Sequence, residues 1–194
     1  GMDAGMSAPM GTAGMQQPIW ARDTSAMPGA MPDTGAGYAL SGFADTCFAY
    51  LDAPKTSGKW YWEAVMGAQY LLAGITDDPT TAVSYGGYSS ANAGVYTSGG
   101  AQWVDGSWTG GATTGVWGGG AFSVGNVIGF ALDLDSATKS LKFYRNGGYG
   151  AQVQWTSGPA SLWPMFGFQS SPPVQINLGP AACAYEPPDG YAYL

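Results

Sequence analysis

A chain of 194 residues is the right length for one domain and long enough to bury a core. Its make-up is 45% apolar and only 10% charged, with 32 Gly, 13 Pro, eight Trp and twelve Tyr, which reads as aromatic strands punctuated by turns. A formal charge of −7 with six Lys plus Arg argues against nucleic acid or anionic lipid as a partner, and the absence of histidine removes His triads, His bases and His-containing zinc sites.

Residues 2–18 (MDAGMSAPMGTAGMQQP) stand apart from the rest. Met2, Met6, Met10 and Met15 recur at near-helical spacing, but Gly5, Pro9, Gly11 and Gly14 would each be costly inside a helix. The segment is therefore expected to be a flexible arm over 1–19, leading into one domain over 20–194. Gly1 ahead of Met2 reads as a residue left by tag cleavage. The opening lacks the basic-then-apolar pattern of a signal peptide, and no run is apolar for long enough to cross a bilayer.

Residues 26–37 (AMPGAMPDTGAG) read as a loop. Strands are then expected at 44–51 (ADTCFAYL) and 59–66 (KWYWEAVM). In the second, Trp60, Trp62, Ala64 and Met66 share one face and Tyr61, Glu63 and Val65 the other. Gly67-Ala68 suggests a turn into 69–75 (QYLLAGI) as a hairpin partner. Residues 79–120 are rich in Gly, Ser, Tyr and Trp and predict short strands joined by long loops. Strands return at 126–135, 141–145, 162–168 and 174–178, and no helical period of useful length appears anywhere.

The triplet Asp133-Leu134-Asp135 raises the question of an acid/base or metal pair. Alternation places Ile128, Phe130, Leu132 and Leu134 on one face, with Ala131, Asp133 and Asp135 on the other. A four-residue loop over 136–139 would set Leu134 opposite Leu141, Leu132 opposite Phe143, and Asp133 opposite Lys142. One hairpin then accounts for the triplet without chemistry. Asn146-Gly147 supplies the left-handed backbone of the next tight turn. Cys47 and Cys183 allow one bridge across most of the domain, or two buried thiols.

GKWYWEAV (58–65), VGNVIGFALDLDSATKSLKFYRNG (124–147), LWPMF (162–166) and INLGP followed by YEPPDGY (176–191) resemble, in order, the signature strands of the SPRY (B30.2-like) domain family. WARDTSA (20–26) resembles the Trp-led opening of SPRY domains from bacteriophage virion and bacterial proteins. The resemblance implies an all-β fold: a single SPRY-type sandwich of two antiparallel sheets, concanavalin-like in architecture. It also implies a binding module that is not an enzyme, needs no cofactor, and docks a protein, peptide or glycan on loops at one end.

The loops so indicated are the run from Asp77 to Gly120 and residues 169–173. Tyr85, Tyr88, Tyr96, Trp103 and Trp108 are the leading contact residues, because Tyr and Trp offer large amphipathic area at low entropic cost. The other reading buries half or more of them in a satellite core beneath the loops. Tyr85 and Gln169 fall near loop positions that peptide-binding SPRY domains use. A glycosidase would need two carboxylates across a cleft, and the two glutamates, Glu63 and Glu186, are far apart in the pattern. Asp77-Asp78 before Pro79 reads as turn chemistry or, less simply, as a calcium site with loop carbonyls. The alternative role is a virion component, a tail or capsid-surface subunit that forms a homo-oligomer or assembles with other subunits. The setting favoured by the opening is a virion or bacterial surface.

Overall fold

The structure is a computed structural model, and it describes residues 29–31, 37–40, 47–51, 53–66, 71–79, 93–96, 101–104, 108–114, 123–168 and 174–194. The arm over 1–19, WARDTSA, Tyr85, Tyr88 and Gln169 lie outside the described residues. Among the described residues there is no helix, and the strands are β1 (Gly29–Met31), β2 (Gly37–Leu40), β3 (Cys47–Leu51), β4 (Lys59–Val65), β5 (Leu71–Thr76), β6 (Ala93–Tyr96), β7 (Ala101–Val104), β8 (Ala112–Thr114), β9 (Val127–Asp133), β10 (Lys139–Arg145), β11 (Gly148–Trp155), β12 (Trp163–Phe168), β13 (Val174–Asn177) and β14 (Ala192–Tyr193). They form a 6-stranded sheet, β1-β3-β12-β5-β6-β7, and an 8-stranded sheet, β2-β13-β4-β9-β10-β11-β8, with β14 also beside β4. Pairing is antiparallel except for β1 on β3 and β14 on β4.

The alternation expected over 59–66 and 126–135 sets the core. Trp62, Ala64 and Met66 point inward with Ile128, Phe130 and Leu132, all essentially free of solvent. Phe130 is the hub: its ring stacks on Trp62 at 5.3 Å and meets Phe143 and Phe166 edge-on at 6.0 and 6.2 Å. Phe166 lies on β12, so this cluster joins the two sheets. Burying each such ring contributes roughly 2–3 kcal/mol.

Several expectations are corrected by the topology. Residues 69–75 are not the hairpin partner of 59–66: β4 pairs with β9, β13 and β14, while β5 lies in the other sheet between β12 and β6. Both edges of β4 are therefore taken, and the chain after Met66 crosses the sandwich. Within the expected loop at 26–37, Gly29–Met31 forms the short strand β1. The longest strand, β11, was not foreseen, because Gly148 and Gly150 blur its alternation; its inward residues Ala151, Val153 and Trp155 are fully buried.

The aspartate hairpin exists, with its register displaced by two residues. Leu132 faces Leu141, Phe130 faces Phe143, and Asp133 faces Ser140 rather than Lys142. The cation that meets Asp133 is Lys59, its neighbour in β4, with Nζ 3.0 Å from Oδ2. The shift follows from what the loop does with its carboxylates. Asp133 Oδ1 accepts from the amides of Asp135 and Ser136, and Oδ2 accepts from the Ser136 hydroxyl at 2.7 Å. Leu134 leaves the strand to bury its side chain, and its amide donates to the Gly58 carbonyl. Asp135 Oδ1 accepts from the Gly58 amide at 2.7 Å. The triplet is thus a clamp joining the 134–138 loop to 53–58.

Candidate functional site

Register places the loops at two ends. Trp163 pairs with Thr76 and Phe168 with Leu71, so the chain leaves β5 and β12 at opposite ends of the sheet. The described chain leaves β5 beside Trp163 and leaves β12 beside Leu71, and Tyr85, Tyr88 and Gln169 lie outside the described residues. Tyr96 pairs with Leu72 and Ala101 towards the Leu71 end, and Trp103 pairs with Gly94 near the middle of the strands.

At the Thr76 end the described loops are tied into a continuous rim. Lys55 and Leu162 exchange backbone hydrogen bonds at 2.8 and 3.0 Å. The Thr109 amide donates to the Ser157 carbonyl, and the Thr156 amide and hydroxyl both donate to the Thr109 carbonyl. The Gly58–Asp135 clamp closes the other side. Trp60, half-buried against the core, donates its indole N–H to the Ser57 carbonyl, and the Lys55 ammonium sits 4.2 Å above its ring. Facing solvent around this platform are the small or hydroxylated residues Ser57, Thr109, Thr156, Ser157 and Gly158, together with Asp77, Asp78 and Asp135. The Asp78 amide donates to the Thr76 hydroxyl as the chain turns out of β5. Among the described residues no group of three or more His, Cys, Asp or Glu is placed to hold a metal ion.

Trp108, named from the sequence as a contact residue, is instead part of the core, with 5% of its surface exposed. Its ring lies 4.8 Å from that of Trp155, and the absence of a side chain at Gly158 lets both indoles close against the 156–162 loop. The Trp155 indole N–H beneath it is buried and has no hydrogen-bond partner among the described residues. Trp108 therefore supports the rim from below.

Sequence reading missed the role of Glu63. Its side chain is fully buried on the outer face of β4, where the C-terminal chain covers it. Its carboxylate accepts from the amides of Ala184 at 2.6 Å and Tyr185 at 2.9 Å, and from the Tyr61 hydroxyl at 3.0 Å. Burial, then the charge of Glu63 and the bond to it, hold the Tyr61 hydroxyl far above the usual phenol range. Cys183 beside it is a free thiol, so the bridge to Cys47 is not formed; Cys47 lies on β3 in the 6-stranded sheet, whereas Cys183 lies between β13 and β14 of the other sheet. Burial, with Glu63 adding to it, pushes that thiol up to about 12. A glutamate after three aromatics (Trp60, Tyr61, Trp62) and before Ala64 and Val65 was the available signal, since a buried carboxylate must find donors.

No family model matches the sequence, and no curated protein matches it closely enough to count as a relative. Solved structures do. The chain is similar to a human SPRY domain at 16% identity and a TM-score of 0.50, over 72% of this chain and 90% of that one. The SPRY domain of human HERC1 matches at 18% identity and TM-score 0.45, covering 75% of this chain and 88% of that one. The TRIM65 PSpry domain matches at 16% identity and TM-score 0.47, covering 84% and 88%. At such identities what is shared with the human SPRY domain is the fold: an all-β, SPRY-type sandwich of two antiparallel sheets.

Proposed function

We propose that this chain is a non-enzymatic module that recognises a protein or peptide through the loops of the Thr76 end. The observation that carries the reading is the rim itself: loops 53–58, 108–111, 134–138 and 156–162 are cross-bonded to one another and leave small hydroxylated residues outward beside the Lys55–Trp60 platform. A surface held rigid before binding loses little entropy on docking, and that favours recognition by short segments. The resemblance of the ordered motifs to SPRY domains supports the same class of function, by analogy of fold. Glu63, Asp133 and Asp135 hold backbone amides, which leaves no carboxylate pair among them for hydrolysis.

The test is a peptide array probed in parallel with a glycan array, using the full chain beside Thr109→Arg and Ser157→Arg. Both positions are exposed, so the added bulk blocks the rim without entering the core. Peptide signal lost in both variants supports the reading. Signal untouched by either, or confined to glycans, overturns it. The phage or bacterial-surface setting, and virion assembly as the other role, rest on the sequence: the Met-rich arm, the low charge and the opening at 20–26. Sedimentation of the chain with and without residues 2–18 tests assembly, and a monomer in both cases removes it.

A further inference from the structure

The chain is acidic overall, with a net charge of −7, yet its cations are gathered. Lys59, Lys139, Lys142 and Arg145, four of the six Lys plus Arg, lie on β4 and β10, the two strands that flank β9. The neighbouring strands β10, β11 and β8 (KSLKFYR, GYGAQVQW, ATT) contain three cations and no carboxylate. Of the three on β10, Lys142 lies on the outer face, whereas Lys139 and Arg145, at its two ends, keep the alternation of the inward Leu141 and Phe143.

Its inner face is core: Leu141, Phe143, Ala151, Val153 and Trp155. Its outer face carries Tyr144 opposite Tyr149, Lys142 opposite Gln152, and Ser140 opposite Gln154. The register shift at Phe143/Tyr144 brings the two tyrosines together, with rings edge-on at 5.8 Å. Tyr149 is 56% exposed, and Gln152 donates to Gln154 at 3.3 Å. The C-terminal chain covers the adjoining part of this face, with Tyr193 against Tyr61 and the Tyr191 ring 5.8 Å from the ammoniums of both Lys59 and Lys142. Of those two cations, Lys59 is paired with Asp133, whereas Lys142 has no carboxylate partner among the described residues.

We propose that the outer face of the β10–β11 ribbon is a second docking surface, separate from the rim, for an acidic peptide segment of a partner protein. Lys142 receives a carboxylate of that segment, and the Tyr144–Tyr149 pair receives the side chains next to it. The Lys142 ammonium, without a carboxylate partner among the described residues, selects an acidic group on the partner. The arrangement selects a peptide over a polyanionic glycan. Arg145 is engaged with Asn126 at 3.1 Å and Lys59 with Asp133, so the face offers an isolated cation beside aromatic and amide groups rather than a continuous cationic track. Such a site suits one or two carboxylates set among apolar or aromatic side chains.

The experiment is a titration of the full chain, labelled with nitrogen-15, with a random copolymer of glutamate and tyrosine, and with heparin in a parallel arm. The expected result is amide shifts at Lys142, Tyr144, Tyr149 and Gln152, weakened by added salt. Lys142→Glu is expected to reduce affinity by about tenfold or more and Tyr149→Ser by about threefold or more. Lys142→Gln is the second variant; it removes the charge at similar size and is expected to weaken binding in the same direction. Absence of shifts at the ribbon, or equal binding by the Lys142 variants, overturns the proposal. So does heparin binding in place of the copolymer, and so does loss of copolymer binding in Ser157→Arg, which moves the peptide to the rim.

Discussion

Glu63 illustrates what one buried carboxylate can decide. Its oxygens take two backbone amides and a phenol, all from groups that the C-terminal chain and β4 would otherwise leave unsatisfied. Glu63→Ala is expected to cost about 3 kcal/mol or more, because a buried donor left alone costs about 1–3 kcal/mol. Urea denaturation measures it, and a loss below a few tenths would refute the anchoring role. Asp133 differs, being at the edge of the core. Burial alone would raise its pKa, but bonds from Ser136, Lys59 and the Asp135 amide outweigh that and hold the carboxyl below its ordinary value. A depressed folded pKa stabilises the fold above the unfolded value of about 4, and that contribution disappears as the pH falls through the folded value. Urea midpoints followed into acid should therefore fall less steeply for Asp133→Asn than for the wild type; parallel curves would contradict this.

At the scale of elements, the turn between β10 and β11 was legible in advance, although the strand β11 was not. Asn146 has φ of 48° and Gly147 of 79°, and the strands close directly from Arg145 to Gly148. Gly147→Ala meets two obstacles: the left-handed backbone, and Tyr185 Cδ1 at 2.6 Å from the added carbon. A loss of about 1–2 kcal/mol from conformation alone is expected, visible as a lower denaturation midpoint. The register of the preceding hairpin was not legible. Alternation is unchanged by a slip of two residues, since every side chain keeps its face. The loop settled it, because Asp133 stays at the strand end to cap the turn, while Leu134 reaches the core from outside the ladder. Gly129 shows a related limit: its missing side chain admits the Tyr61 hydroxyl, a contact that no local pattern announces.

For the whole molecule, the distribution of loops between two ends matters more than their composition. Aromatic residues in a Gly/Ser-rich run read as a recognition surface, yet Trp108 fills space beneath the rim against Trp155. Trp108→Ala should therefore cost about 3–5 kcal/mol of stability, the usual cost of deleting a buried indole. Calorimetry of that variant is the check, and an unchanged melting temperature would return Trp108 to the list of surface contacts. Binding lost in Trp108→Ala would consequently say little about a ligand, whereas Thr109→Arg and Ser157→Arg test the rim with the core intact.

The sequence by itself determined that 59–66 and 126–135 are strands and which face of each is apolar, because a period of two is written into the order of their residues. It also identified the Asn146-Gly147 turn, whose backbone geometry few other residues accept, and the ordered motifs that pointed to the sandwich. Only the tertiary structure decided that β5 joins the sheet opposite β4, that Asp133 meets Lys59, that Cys183 stays free, and that Glu63 holds the chain 121 residues away. The reason is physical. Strand pairing and the satisfaction of buried polar groups depend on partners distant in sequence, and a local pattern leaves those partners unspecified until the two sheets pack.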